Sequence, residues 1–280
     1  GTLFVYEYDA GNKSWVLPAG GTVKESFPND DAQREAIAAG NTGTEFNQAS
    51  ASAGWFGWRV AMSGDGNTLV ASNRGPNTAF SKAYKRNSAG WTSNVTNLCS
   101  HSLARCQSQY HQEVAVSFDG NTIAVGEPMS QSGASEYVGH VAVLQFIAYE
   151  SDHKYTAYEP WQRMGSILVG SSANAYAGTV ALSDDGEVLA VGAGSSNSLV
   201  GTARVYAWSG ADWEPLSTDG MDARTNRDVD GNGNDYFGAT LALSGDGKSL
   251  AVAAHGHDSD RGRVHTFARV DHASPPALPP

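Results

Sequence analysis

Four stretches of the chain share one pattern of apolar and polar positions: an aromatic lead-in, a short apolar run, a Ser-x-Asp-Gly break and a second apolar run. They are Phe56–Ala71, Tyr110–Gly126, Tyr176–Gly192 and Phe237–Ala253. The runs, for example Thr179–Leu182 and Val188–Val191, are too short for helices and flank a tight turn, which predicts a β-hairpin in each copy. Within them Ala alternates with Val or Leu, so almost no position is polar, and such strands are covered on both faces. A third strand follows each hairpin, at Ala79–Tyr84, Gly139–Leu144, Gly201–Trp208 and Gly262–Phe267, and the chain opens with another, Gly1–Tyr8. A tryptophan then starts a fourth strand, at Trp15, Trp91, Trp161 and Trp213. Because it recurs once per unit, this tryptophan is expected to pack the outer strand rather than to bind a ligand.

The turn glycines, Gly66, Gly120, Gly186 and Gly247, recur at roughly 60-residue spacing, the length of a propeller blade. The expected fold is therefore all-β: a β-propeller of four-stranded antiparallel blades over residues 1–270. Its repeats centre on Asp65-Gly66, Asp119-Gly120, Asp185-Gly186 and Asp246-Gly247, and a Pro-rich tail or linker follows over 271–280. Ring closure places Trp15–Pro18 beside the blade of Phe237–Arg269. Thr2–Tyr8 is then left over, which points to pairing with another chain, to blades upstream, or to an unusual closure. The connections from each Trp strand to the next hairpin, 19–53, 92–109, 162–175 and 214–236, vary most and cluster on one face. The first has the cap and stop signals of a short helix over Asp30–Ala39.

The repeated unit, Phe-Gly-x-x-(Val/Leu)-Ala-Leu-Ser-x-Asp-Gly-x-x-Leu-Ala-Val-(Gly/Ala)-Ala, resembles the FG-GAP repeats of integrin α-subunit propellers, and more closely the FG-GAP-like repeats of secreted or surface proteins. Phe56-Gly57 and Phe237-Gly238 keep the Phe-Gly pair, and Gly192-Ala193-Gly194 approximates the closing element. The resemblance covers nearly all of residues 1–270 and implies an extracellular propeller used in adhesion, recognition or assembly. The hairpin turns lack the full Asp-x-Asp-x-Asp-Gly-x-x-Asp loop of the integrin repeats, so it does not imply one calcium per blade.

Charge narrows the partners. With 18 Lys and Arg against 29 Asp and Glu the net charge is −11, which repels nucleic acid and anionic lipid. The hydrophobic share of 40% argues against disorder, and no apolar run has the length of a membrane span. The expected partners are other protein chains, through self-assembly by strand addition, or glycans. The two cysteines, Cys99 and Cys106, lie in one short segment and read as a local disulfide of an oxidising compartment. Sequons at Asn12 and Asn94 add the expectation of a secreted or cell-surface glycoprotein.

Cation chemistry is concentrated in one segment, Asp228-Val229-Asp230-Gly231-Asn232-Gly233-Asn234-Asp235. Carboxylate and amide oxygens at alternate positions around a glycine bend suit Ca²⁺, with Asp228, Asp230, Asn232 and Asp235 as the candidate ligands. His255 and His257, beside Asp258 and Asp260, offer a weaker transition-metal alternative, since two histidines alternating on an extended segment face one side. Hydrolase motifs of the Gly-x-Ser-x-Gly or HExxH type are absent, and turn geometry accounts for Asp65, Asp119, Asp185 and Asp246. The sequence thus favours a non-enzymatic adhesion or structural interaction module of a larger cell-surface or filament-forming glycoprotein. The alternatives are a lectin using Trp55, Trp58 and Tyr110, and a propeller glycosidase with two carboxylates across the axis.

Overall fold

The computed structural model describes residues 2–5, 7–9, 11, 13–16, 44–47, 55–74, 80–87, 90–92, 98, 112–128, 131–132, 136–147, 160–170, 177–194, 201–216, 221–222 and 235–269. The predicted helix over Asp30–Ala39 and the tail after Arg269 lie outside these residues. The chain opens with β1 (Thr2–Val5), β2 (Glu7–Asp9), β3 (Ser14–Val16) and β4 (Thr44–Asn47). A first four-stranded sheet follows in the order β5 (Trp55–Met62), β6 (Thr68–Arg74), β7 (Ser81–Asn87) and β8 (Gly90–Thr92).

The second sheet has β9 (Glu113–Val116) and β10 (Thr122–Glu127) as its hairpin; a two-residue ribbon, β11 (Gln131–Ser132) with β12 (Glu136–Tyr137), intervenes before β13 (His140–Phe146). Outside β13 lie β14 (Trp161–Arg163) and a short β15 (Leu168–Val169). The third sheet repeats this plan with β16 (Thr179–Leu182), β17 (Val188–Ala193), β18 (Thr202–Trp208), β19 (Trp213–Pro215) and a short β20 (Met221–Asp222). In the fourth, β21 (Thr240–Leu243) and β22 (Ser249–Ala254) make the hairpin and β23 (Arg263–Ala268) is the outer strand among the described residues. All pairings between these strands are antiparallel.

The sheets lie face to face around a shared axis. The first strands are neighbours in turn: β5 touches β9, β9 touches β16 and β16 touches β21. The second strands are the most protected: β10 and β17 are buried at every position and β6 at all but Arg74. That explains their composition, because sheets approaching from both sides favour small apolar residues such as Ala71, Ala124 and Ala190, and polar residues buried there, such as Ser72 and Glu127, are hydrogen-bonded. Where two sheets come closest even alanine is too large. A Cβ on Gly126 would run into the carbonyl of Gly178, and one on Gly192 into that of Gly238, so the glycines of the repeat set the distance between neighbours.

Two expectations about strand pairing change. Among the described residues, which leave out Leu17 and Pro18, Trp15 does not close the last sheet; β3 pairs with β2, in the register Tyr8↔Trp15. The short link between them makes this local hairpin the least costly pairing to close. The leading strand is also split, since β1 pairs with β4 across the first long connection. The second and third sheets carry a fifth strand: β15 and β20 pair with the start of β13 and β18, beside the Trp strand that pairs with the end.

Candidate functional site

The Ser-x-Asp-Gly turns are built alike in all four sheets. Ser63, Ser117, Ser183 and Ser244 each donate from Oγ to the aspartate two residues on, Asp65, Asp119, Asp185 and Asp246, at 2.5–2.6 Å. The same aspartate oxygen accepts the backbone N–H of Asn67, Asn121, Glu187 or Lys248 at 2.9–3.0 Å. The serine oxygen in turn accepts the N–H that starts the second strand, at Thr68, Thr122, Val188 or Ser249. Burial pushes the carboxyls of Asp65 and Asp119 upward, but hydrogen bonds from the serine and asparagine and the charge of Lys85 outweigh it, so both sit below the ordinary aspartate value. Asp246 is also lowered, chiefly by the hydrogen bond from Ser244. The anionic forms of Asp65, Asp119 and Asp246 are thus favoured where they stand.

Neighbouring turns are joined through the main chain. Asp65 donates its N–H to the carbonyl of Phe118 at 3.0 Å, Phe118 to that of Asp184 at 2.8 Å, and Asp184 to that of Gly245 at 2.8 Å. Lys85 adds a side-chain link from the first sheet to the second: its Nζ donates to Asn121 Oδ1 at 2.9 Å and lies 4.3 Å from the Phe146 ring centre.

Of the candidate calcium ligands, Asp235 alone is among the described residues; Asp228, Asp230 and Asn232 lie outside them. Asp235 is buried with Oδ2 3.5 Å from Nδ1 of the buried His257, and its carbonyl accepts the N–H of Gly256 at 3.2 Å. The histidines do not share a side. The segment is a tight turn rather than a strand, with φ of 50° at Asp258 and 55° at Ser259, so His257 turns inward while His255 stays exposed and stacks on Tyr236 with ring centres 4.8 Å apart. Asp258 pairs with Arg261 at 2.9 Å on the surface. Among the described residues no three His, Cys, Asp or Glu side chains converge as a metal would require.

The other predicted sites divide the same way. Cys99, Cys106, Asn12, Asn94 and Tyr110 lie outside the described residues, as does the side chain of Trp55. Trp58 is half-buried, with the guanidinium of Arg74 4.6 Å and that of Arg59 5.5 Å from its ring centre. Arg59 also pairs with Glu113 of the next inner strand at 2.8 Å, so Trp58 makes its cation–π contacts within its own sheet, beside an ion pair that crosses to the next.

A feature that residue types alone do not reveal is a groove at the outer edge between the third and fourth sheets. It is lined by Val205 and Leu216 on one side and by Leu250, Phe267 and Ala268 on the other, with Arg204, Lys248 and Arg269 around it. The corresponding place between the second and third sheets is filled by Trp213. That side chain is buried against Leu189, Tyr206 and Met164, and its Nε1 donates to the Met164 carbonyl at 2.9 Å. Trp91 and Trp161 are buried too, Trp91 with Leu69 and Tyr84 of its own sheet and Trp161 with Ile123 and Leu144 of its own sheet and Val70 and Ala83 of the one before, as the once-per-unit recurrence suggested.

Four-stranded antiparallel sheets stacked face to face, inner strand beside inner strand about one axis, define the architecture. The fold is a β-propeller. The sequence matches no family model and no curated protein. Among solved structures it is similar to TolB from Acinetobacter baumannii, with 11% identity, a TM-score of 0.41 and 75% of this chain covered. It is likewise similar to the tricorn protease, with 11% identity, a TM-score of 0.44 and 82% covered. The matches span 40% of the TolB chain and 23% of the tricorn protease chain. Among the described residues, no helix is long and apolar enough to cross a membrane.

Proposed function

We propose that the chain is an extracellular interaction module: a propeller of FG-GAP-like repeats that serves adhesion or structural assembly within a larger cell-surface or filament-forming glycoprotein. The observation that carries this reading is how the repeated residues are used. The Ser and Asp of every turn, the inter-blade glycines and the buried tryptophans all serve turns and blade seams. What differs between blades is the connections between them, which is how a repeat scaffold carries binding specificity. The module binds protein chains, including copies of itself, rather than transforming a substrate. Calcium held by Asp228, Asp230, Asn232 and Asp235 would brace the longest late connection.

The test is adhesion by the intact chain. Beads coated with it are expected to clump or to bind surfaces bearing the same chain, and to lose this when residues 223–234 are exchanged for a Gly-Ser linker. Beads that stay dispersed on every protein and glycan surface tried would overturn the reading. A melting temperature lowered by chelator, with no such drop in Asp230→Asn, would support calcium; a curve unmoved by chelator would dismiss it.

A further inference from the structure

We propose that the outer edge of β23 is a docking groove for an extended, acidic, tryptophan-bearing strand of another chain. This rests on the reading of the protein as an interaction module and names the site. The argument comes from the chain's own blades, which show what this edge accepts. In the third blade β19 lies along β18 with Trp213 opposite Trp208 and Glu214 opposite Ala207, and the N–H of Leu216 reaches the carbonyl of Val205 at 2.9 Å. In the second, Trp161 lies opposite Phe146 and the N–H of Met164 reaches the carbonyl of Val143 at 2.8 Å. In the first, Trp91 lies opposite Arg86.

The fourth blade has the same edge. Leu250 pairs with Phe267 as Leu189 does with Tyr206 and Ile123 with Leu144. That register puts Thr266 at the place of Val205, Ala268 at that of Ala207, and Arg269 at that of Trp208 and Arg86. The N–H of Arg269 is directed to the carbonyl of Lys248, just before β22, as that of Trp208 is to the carbonyl of Glu187, just before β17. Antiparallel strands alternate the direction of their backbone groups, so the N–H and C=O of Thr266 and Ala268 face away from β22. Both residues are exposed.

The groove also matches the side chain such a strand brings. Trp213 sits between its own blade and the one before, with its Nε1 on the carbonyl three residues past the preceding tryptophan. In the next gap the equivalent carbonyl is that of Leu216, and Leu216, Leu250 and Phe267 line the space. Arg86 opposite Trp91 shows that an arginine at the place of Arg269 accepts a tryptophan as partner. Arg204, Lys248 and Arg269 bring basic side chains to the rim, which favours a strand carrying a carboxylate, as β19 carries Glu214 opposite Ala207.

The probe is a fluorescein-labelled peptide with the sequence of Ala211–Leu216, Ala-Asp-Trp-Glu-Pro-Leu, titrated by anisotropy into the full chain. Saturable binding is expected, weakened roughly tenfold or more when the peptide tryptophan is replaced by Ala. Ala268→Pro removes an outward N–H at an edge position where proline is tolerated, and is expected to weaken binding by about tenfold, while Ala268→Ser leaves it unchanged. In the unsubstituted protein the peptide should slow hydrogen exchange at the Thr266 and Ala268 amides, a readout that does not depend on how Ala268→Pro folds. No saturation, or equal binding by the tryptophan-free peptide, would overturn the site. So would a tenfold gain in binding by Trp15→Ala, which would assign the groove to the chain's own leading segment. Beads that clump although the peptide fails to bind would reject this groove and keep the adhesive reading; binding without adhesion would do the reverse.

Discussion

Glu127→Gln is expected to raise the stability of the protein above neutral pH and to leave it nearly unchanged in acid. Glu127 ends β10 with no solvent exposure; its Oε1 accepts from Gln112 Nε2 at 2.5 Å, and Gln112 Oε1 accepts from Ser81 Oγ at 2.5 Å. Burial raises its carboxyl from 4.5 to about 7, against the opposing pull of the Gln112 hydrogen bond. The folded state therefore holds this proton more tightly than the unfolded state. Below about pH 4.5 both states are protonated and the benefit is complete; between 4.5 and about 7 the unfolded chain ionises first and stability falls, and above that the loss is constant. A difference of about 2.5 pH units at 1.36 kcal/mol each amounts to roughly 3 kcal/mol. Glutamine keeps the shape and the acceptor for Gln112 but never ionises. Urea unfolding of both proteins from about pH 4 to about pH 9 gives a difference curve in which other titrating groups cancel. The curve should climb by about 3 kcal/mol between the two pKa values and then flatten. Parallel profiles, or a variant less stable than the parent at about pH 8, would refute the assignment of a buried neutral acid.

Ser183→Ala removes both the donor to Asp185 and the acceptor of the buried Val188 N–H, and should cost about 1–3 kcal/mol in chemical denaturation. The same change at Ser244, where the turn is exposed, should cost less than about 1 kcal/mol. Gly126→Ala drives a methyl into the Gly178 carbonyl and is expected to destabilise by about 1–3 kcal/mol or more, seen as a lowered melting temperature. Trp213→Phe loses the bond to Met164 and should cost about 1 kcal/mol beyond the packing change, measured against Trp213→Tyr.

The hairpins and their turns were legible because each residue of the motif answers to a local demand. Ser63 and Asp65 close a turn of five residues, and Gly66 supplies its φ of 71°. The third strands and the buried tryptophans were legible because recurrence separates packing from ligand binding. Pairings without a pattern of their own were not: Leu168-Val169 and Met221-Asp222 are two-residue strands recruited by an open stretch of β13 and β18. The match of β1 with β4 spans a long connection that carries no register signal. Trp58 and the two histidines failed differently. Their placement depends on partners distant in sequence or on a change of backbone direction, Arg74 across the hairpin in one case and the turn at Asp258 in the other. The groove beside β23 emerges only when one blade is laid over another, since none of its lining residues is unusual for a strand.

The main-chain links between adjacent turns have one consequence for how such a sequence drifts. Since peptide groups make the bond, the residue between Ser and Asp is released from any fixed identity, and it is Gly64, Phe118, Asp184 and Gly245 in turn. Space imposes the remaining rule: the Phe118 ring occupies the volume a methyl on Gly64 would need, and the Asp184 carboxylate that of one on Gly245. A side chain gained at Gly64 or Gly245 must then be matched by a smaller residue in place of Phe118 or Asp184, so that this row of turns can be relettered while the seam beneath it stays shut.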